Sequence, residues 1–153
     1  MASALLSMGA AGVLLPFNVG AQSELEDARR TLALYLGREL VEEIISKPFD
    51  DPEGAFGVGP DAGEISRQYF DNIDDYDGYK DGYEETISAI VGMRKQTIDA
   101  VAIEGLHREA VVRYLHVAGQ DMGDDPNFVR VVVIMRYKGQ VLLTLRRLVH
   151  LPQ

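Results

Sequence analysis

The segment from Gln22 to Lys47 reads QSELEDARRTLALYLGRELVEEIISK and has the periodicity of an amphipathic helix. Its apolar residues recur at spacings of three or four, which places them on one helical face. They are Leu25, Ala28, Leu32, Leu36, Leu40 and Ile44. Charged side chains, Arg29 among them, fill the other face, and Pro48 is a stop signal after Lys47. We therefore predict an amphipathic helix over 22–47, with its apolar stripe available to dock on a sheet.

The residues that precede this helix carry no charged side chain from Met1 to Ser23. Ala2 to Val19 reads ASALLSMGAAGVLLPFNV, and eighteen apolar residues are about the fewest that cross a hydrocarbon core of ~30 Å. Its many Ala, Ser and Gly residues let helix backbones approach closely. We predict an apolar transmembrane or assembly helix over 1–21, continuous with the helix that follows and kinked at Pro16. The candidate assembly residues are Leu5, Leu6, Val13, Leu14, Leu15, Pro16 and Phe17.

Two other interpretations of the apolar segment remain open. A secretory signal peptide needs a positively charged start, whereas the first basic residue here is Arg29. A buried helix in the core of a soluble domain is the second alternative, although a helix that is apolar on every face is unusual outside membranes and large cores.

The C-terminal part of the chain has the alternation of β-strands. Phe128–Tyr137 and Gln140–His150 predict a hairpin around Lys138-Gly139, and His107–Val117 predicts a further strand. One face of the hairpin should cover the helical stripe, and it is made of Val129, Val131, Val133, Met135, Tyr137, Val141, Leu143, Leu145 and Val149. The fold class predicted is α+β. A long N-terminal helix, apolar in its first half and amphipathic in its second, packs on a small antiparallel sheet over 107–150 within a globular domain over 22–153.

Composition and charge exclude several classes of protein. The 153 residues suffice for one domain, and the absence of cysteine excludes a disulfide scaffold, a thiolate zinc site and a cysteine nucleophile. The net charge of −9 argues against direct binding of nucleic acid. The charges are segregated, with 15 acidic and 3 basic residues from Glu39 to Glu85, and 5 basic and no acidic residues from Pro126 onward.

The acidic loop region over 48–85 contains FDNIDDYDGYKDGYEE, which interleaves aspartates with tyrosines. The spacing does not match an EF-hand, but flexible loops of this kind supply oxygen ligands to calcium, with Asp74, Asp75 and Asp77 as candidates. In the alternative the aspartates cap backbone amides, and Tyr76, Tyr79 and Tyr83 pack inward. The pattern favours the alternative, so we predict no cofactor and retain calcium as the second hypothesis.

The basic hairpin offers candidate subunit contacts. Arg130, Arg136, Lys138 and Arg146 would complement the acidic middle of a neighbouring subunit. Alternatively, these side chains form intramolecular pairs or a solvated face of the sheet.

Motifs of catalysis are missing from the sequence. No serine lies in a G-x-S-x-G turn, and no phosphate-binding G-x-x-x-x-G-K-[ST] loop is present. We therefore predict that the chain is not an enzyme.

Several segments resemble type IV pilins and pseudopilins. ASALLSMGAAGVLLPF is similar to the part of the pilin membrane helix that follows the processing motif, with Pro16 at the usual kink. ELVEEIISKPFDDP, GPDAGE and FDNIDDYDGY resemble minor pilin-like proteins related to a minor pilin of the mannose-sensitive haemagglutinin pilus, and FVRVVVIMRYKGQVLLTLRRLV resembles their closing hairpin.

The resemblance implies a minor pilin or pseudopilin of a type IV pilus, a type II secretion pseudopilus or a DNA-uptake fibre. Such a protein sits in the bacterial inner membrane with a periplasmic globular domain, and its partners are other pilin or pseudopilin subunits. The family's processing motif, a Gly followed by Phe-Thr-Leu and a Glu, is missing here, so we expect Met1 to be internal to a longer reading frame. The alternative function is that of a soluble α+β ligand-binding or interaction domain.

Overall fold

The computed structural model describes residues 2–49, 51, 58–80, 105–119, 121 and 126–150, with helix side chains from Gly20 onward. Within these ranges it has one helix, α1 (Ala2–Ile45), two short 3-10 turns (Arg67–Tyr69 and Asp74–Tyr76) and three strands. The strands are β1 (Leu106–Leu115), β2 (Phe128–Tyr137) and β3 (Gln140–His150). The α+β class is thus confirmed, as are the end of the helix near Lys47 and the three strands, to within one or two residues.

The strands form one antiparallel sheet in the order β1-β2-β3. Leu106 is opposite Tyr137, and Tyr137 is in turn opposite Gln140. Lys138 and Gly139 both have positive φ, 48° and 82°, as the central residues of a type I′ turn require. The two-residue hairpin predicted at Lys138-Gly139 is confirmed.

The core lies between the second half of α1 and one face of the sheet. Its helical side consists of Ala33, Leu36, Leu40, Val41 and Ile44. Its strand side includes Leu106, Ala110, Val112, Val129, Val131, Val133 and Met135. The helical stripe predicted through Leu36, Leu40 and Ile44 and the β2 face predicted through Val129 to Met135 are therefore confirmed. Burial of such side chains is the main source of stability in a domain of this size.

Two helical positions differ from the predicted pattern. Ala28, expected on the buried stripe, is exposed, and Arg29, expected on the polar face, is 8% exposed. The cause is Tyr137, since the Arg29 guanidinium carbon lies 3.7 Å from the centroid of its ring. A guanidinium over an aromatic face gains a cation–π interaction while its aliphatic stem covers apolar surface.

The predicted face of β3 is wrong at its first residue. Val141 was expected toward the helix but is 54% exposed, because the pairing of β2 with β3 shifts between Met135 and Arg136. Met135 pairs with Leu143 and Arg136 with Val141, which leaves Leu142 as the extra residue of a bulge. A bulge moves the residues on one side of it to the opposite face. Leu143, Leu145 and Val149 remain packed against the core as expected.

The helix packs closely against the sheet at Gly37. A β-carbon at that position would lie 2.9 Å from Leu145 Cδ1 and 3.3 Å from Met135 Sδ. A residue without a side chain is therefore what lets the helix and sheet pack at this separation.

The helix extends beyond the sheet at its N-terminal side. From Gly20 to Ala28 every residue is exposed except Leu25, which is half-buried, and the helix continues through Pro16 to Ala2. Within the described part of the chain, no helix combines the length and apolar character needed to cross a membrane. The side chains of the predicted assembly residues lie outside the described residues, as do Tyr83 and the apolar runs at 87–91 and 97–103.

Candidate functional site

A network of charged side chains joins the helix, the loop and β1. Arg67, in the first 3-10 turn, donates from Nε to Glu43 Oε1 at 2.7 Å and from Nη2 to Glu39 Oε1 at 3.0 Å. Tyr76 donates its hydroxyl to Glu43 Oε1 at 2.7 Å. Arg108 of β1 is fully buried, pairs with Glu39 and donates to the carbonyl of Leu36 at 3.2 Å. The network holds the loop and the first strand to the same side of α1.

The surroundings of Glu43 and Tyr76 shift the pKa values of both groups. Burial alone would raise the pKa of Glu43, but hydrogen bonds from Arg67 and Tyr76 outweigh it and hold that pKa below its ordinary value. Burial and the adjacent Glu43 carboxylate raise the pKa of Tyr76. The ionised carboxylate of Glu43 and the neutral phenol of Tyr76 therefore form a hydrogen-bonded clamp between the helix and the loop.

Two of the candidate calcium ligands, Asp74 and Asp77, are bonded to β1. Asp74 accepts a hydrogen bond from the Tyr114 hydroxyl at 2.8 Å, and burial raises the pKa of its carboxyl. Asp77 accepts from the amide of Val112 at 3.0 Å and pairs with Arg113. These bonds fasten the acidic loop to the strand.

The third predicted ligand, Asp75, caps the loop itself. Its Oδ2 accepts from the amides of Asp71 and Asn72 at 2.9 and 3.0 Å, and Asn72 Oδ1 accepts in return from the amide of Asp75 at 3.1 Å. Tyr76 is buried and its ring centroid lies 5.0 Å from that of Phe70. This is the arrangement that the capping interpretation of the loop predicts.

The structure groups a different set of carboxylates. Oxygens of Glu64, Asp71 and Asp75 lie within 4.8 Å of one another, and both aspartates belong to the acidic motif in which the sequence suggested calcium. Asp75 is 1% exposed, and its Oδ1 accepts no hydrogen bond from any described residue. Burial, a hydrogen bond with the Asp75 carboxyl and the charges of Asp75 and Asp71 raise the pKa of Glu64, and they outweigh the hydrogen bond from the Asp61 amide, which lowers it. We call these three residues the carboxylate cluster.

The basic residues of the hairpin fall into two kinds. Arg136 lies 2.9 Å from Glu109 through its Nε and donates to the carbonyl of Gly139 at 3.2 Å, so it is engaged within the chain. Lys138 lies beside the ring of Tyr137, with Nζ 5.3 Å from the centroid. Arg130 and Arg146 are exposed on the face of the sheet away from the helix, and neither pairs with an acid in the described ranges.

Several residues of these sites are not foreseen from the sequence. The charged network unites positions up to 69 residues apart, and no local motif marks them. Arg108 was not predicted either, but the sequence does carry a signal for it, because it alternates with the apolar residues Leu106, Ala110 and Val112, which are buried. A period of two therefore places its side chain on the inner face. Glu64 of the carboxylate cluster carries no such signal.

No match to this chain is found among protein-family models, among curated proteins or among solved structures.

Proposed function

We propose that the chain is a structural subunit of the minor pilin or pseudopilin kind, anchored by its N-terminal helix and assembled with other such subunits by helix packing. The fibre would be a type IV pilus, a type II secretion pseudopilus or a DNA-uptake fibre. In this proposal the globular domain faces the periplasm and the helix resides in the inner membrane until assembly.

The observation that carries the proposal is the continuation of α1 beyond the sheet. Among the helical side chains described, which begin at Gly20, Arg29 is the first in chain order that is buried, and the helix backbone continues on its N-terminal side to Ala2. At a rise of about 1.5 Å per residue, the part before Arg29 is roughly 40 Å long. A helix of that length gains stability from tertiary packing or from lipid more than from its own propensity.

The sequence of this extension supports the same conclusion. It begins with eighteen residues that carry no charge, and the segment from Gln22 to Asp27 is polar and exposed except at Leu25, which is half-buried. The exposure of residues 20–28 indicates that the sheet does not cover the helix there. The eighteen uncharged residues that precede them are stabilised by an apolar environment. A bilayer supplies it before assembly, and neighbouring helices supply it in a fibre.

The distribution of charge supports contacts between subunits. Arg130 and Arg146 are exposed on the face of the sheet away from the helix. The acidic loop is bonded to β1 through Asp77 and to α1 through Arg67. Opposite charges on separate surfaces of one chain favour head-to-tail contacts between copies or related subunits, and a contact of this kind extends into a filament where the rotation does not close.

Cell fractionation tests the anchoring. The gene product, tagged at its carboxyl end and expressed from its own reading frame, is expected in the membrane fraction and released by detergent but not by high salt. Leu14→Arg places a charge in the uncharged segment and should move the protein to the soluble fraction, because a charge at the centre of a membrane helix costs about 3 kcal/mol. Gln22→Arg, which adds the same charge at an exposed helical position, is the matched control and should remain in the membrane.

A wild-type chain recovered in the soluble fraction would contradict the proposal. It would instead support the alternative of a soluble α+β ligand-binding or interaction domain. Protease added to spheroplasts locates the globular domain, since a periplasmic domain is degraded while the membrane remains intact.

A further inference from the structure

We infer that the outer edge of β3 is a docking site for an acidic, extended segment of another polypeptide. The segment adds to the three-stranded sheet as a further strand, bound through its backbone and selected by its charge. The site is the strand Gln140–His150 itself, and it does not depend on the membrane anchoring in the proposed function.

The two edges of the sheet differ, because the chain covers one of them. At the edge of β1, the amide of Ala110 donates to the carbonyl of Tyr79 at 2.9 Å, and the amide of Gly78 donates to the carbonyl of Ala110 at 3.1 Å. The amide of Val112 donates to Asp77 Oδ1 at 3.0 Å. In the described part of the chain, no backbone hydrogen bond joins β3 to any segment other than β2. The backbone groups of β3 that point away from β2 therefore form an open edge.

The open strand is long and regular. It has eleven residues and contains neither proline nor glycine. Its bulge lies near the start, at Leu142, and its pairing with β2 is continuous from Leu143 to His150. Natural edge strands are more often short, or interrupted by proline or a bulge, which prevents pairing with other chains. The regular part of β3 keeps the geometry that an added strand needs.

The charges of β3 favour an acidic partner. Arg146 and Arg147 are both exposed and, as neighbours in a strand, lie on opposite faces of the sheet. No residue from Pro126 to Gln153 is acidic. Antiparallel pairing of β3 with β3 of a second copy would bring these arginines near each other, because they lie close to the middle of the strand. Like charges on paired strands are destabilising, so the edge disfavours self-association and attracts acidic segments.

The two faces of β3 define the pattern of the partner. On the face toward the helix, Leu143, Leu145 and Val149 pack against the core but are only half-buried. Arg146 is exposed on the opposite face. A strand with apolar residues on the first face and carboxylates on the second would cover the half-buried side chains and pair with Arg146. The partner is therefore an extended segment in which acidic and apolar residues alternate.

Synthetic peptides added to the full chain in detergent test the inference. The probe is fluorescently labelled EVEVEVEVE, with binding measured by fluorescence anisotropy. KVKVKVKVK reverses the charge, and EPEPEPEPE keeps the charge but has proline, which cannot donate to a β-ladder. We expect EVEVEVEVE to bind at least roughly tenfold more tightly than either control peptide. Hydrogen exchange followed by mass spectrometry should show that it slows exchange within Gln140–His150.

Arg146→Glu should weaken binding of EVEVEVEVE at least about fivefold, because the carboxylates of the probe would meet a like charge. Arg130→Glu is the matched control, since it makes the same reversal on the same face but on the central strand, and it should weaken binding much less. The inference is overturned if EVEVEVEVE does not bind, if either control peptide binds equally well, or if the two variants weaken binding equally. Exchange that slows only outside β3 also overturns it, as does sedimentation showing that a second copy of the chain occupies the edge.

Discussion

Arg108 and Glu39 form an ion pair across the interface between β1 and α1, and the two side chains differ in exposure. The Arg108 side chain is fully buried, whereas that of Glu39 is 31% exposed. Glu39 also accepts from Arg67, so one carboxylate serves a buried and a half-buried guanidinium. The carboxylate of Glu39 offsets part of the free energy that it costs to bury the charge of Arg108.

Removing Glu39 should therefore destabilise the fold strongly. Glu39→Met removes the carboxylate that pairs with the buried Arg108, and we expect a loss of about 3 kcal/mol in the free energy of unfolding. The double variant Glu39→Met/Arg108→Met removes both charges and should lose less than the single variant. Urea denaturation followed by circular dichroism measures both values.

Glu42→Met is the control for this series, because Glu42 is exposed on the same turn of the helix. Its effect should stay within about 0.5 kcal/mol. Equal effects of Glu39→Met and Glu42→Met would show that the buried pair does not stabilise the fold.

The close contact at Gly37 limits the size of the side chain that this position accepts. Gly37→Val should destabilise by about 2 kcal/mol, since its β-carbon alone would lie 2.9 Å from Leu145 Cδ1 and the two further methyl groups have less room. Gly20→Ala meets no atom within 4 Å and should leave the free energy of unfolding unchanged or raise it by up to about 1 kcal/mol. Thermal denaturation of the two variants in parallel tests this, and a neutral Gly37→Val would contradict the packing described.

Stability should depend on pH through Glu43. Its pKa in the folded state is lowered below the ordinary 4.5, so ionised Glu43 stabilises the fold above that pH and its contribution disappears as the pH falls through the folded pKa. We expect the difference in free energy of unfolding between wild type and Glu43→Gln to be largest near neutral pH and to narrow below about pH 4.5. The amide oxygen that Glu43→Gln introduces can still accept from the Tyr76 hydroxyl, so the substitution removes mainly the charge.

Urea titrations of both proteins at a series of pH values measure this difference. Glu42→Gln makes the same change at an exposed neighbouring position and is the matched control. A gap between wild type and Glu43→Gln that stays constant down to pH 3 would contradict the role given to Glu43.

The pattern of the sequence predicts the secondary structure well because it depends on local periodicity. Spacings of three and four locate the helix stripe at Leu36, Leu40 and Ile44, and alternation locates the inner face of β2. The turn at Lys138-Gly139 follows from the tolerance of glycine for positive φ. These features need no knowledge of distant residues.

The candidate sites are less predictable because they depend on tertiary contacts. The face of Val141 is reversed by a bulge that the alternation of β3 does not reveal. Arg29 is buried because Tyr137, more than a hundred residues later, lies beneath it. The acidic loop is recognisable from its sequence, but which carboxylates meet is decided by the bonds of Asp74 and Asp77 to β1.

The exposed arginines of the outer sheet face lead to a prediction about assembly. Arg130 and Arg146 pair with no acid in the residues that the structure describes, so charge reversal there should leave the free energy of unfolding within about 0.5 kcal/mol of wild type. Arg136 is left unchanged in this test. Charge reversal there would break its 2.9 Å pair with Glu109, so a loss of crosslinking could result from lower stability as well as from impaired assembly. If subunits meet through this face, Arg130→Glu/Arg146→Glu should reduce chemical crosslinking between subunits in membranes severalfold, and Arg130→Lys/Arg146→Lys should retain most of it. Unchanged crosslinking in the reversed variant, with folding intact, would show that these arginines form a solvated surface and that the subunits assemble through the helix alone.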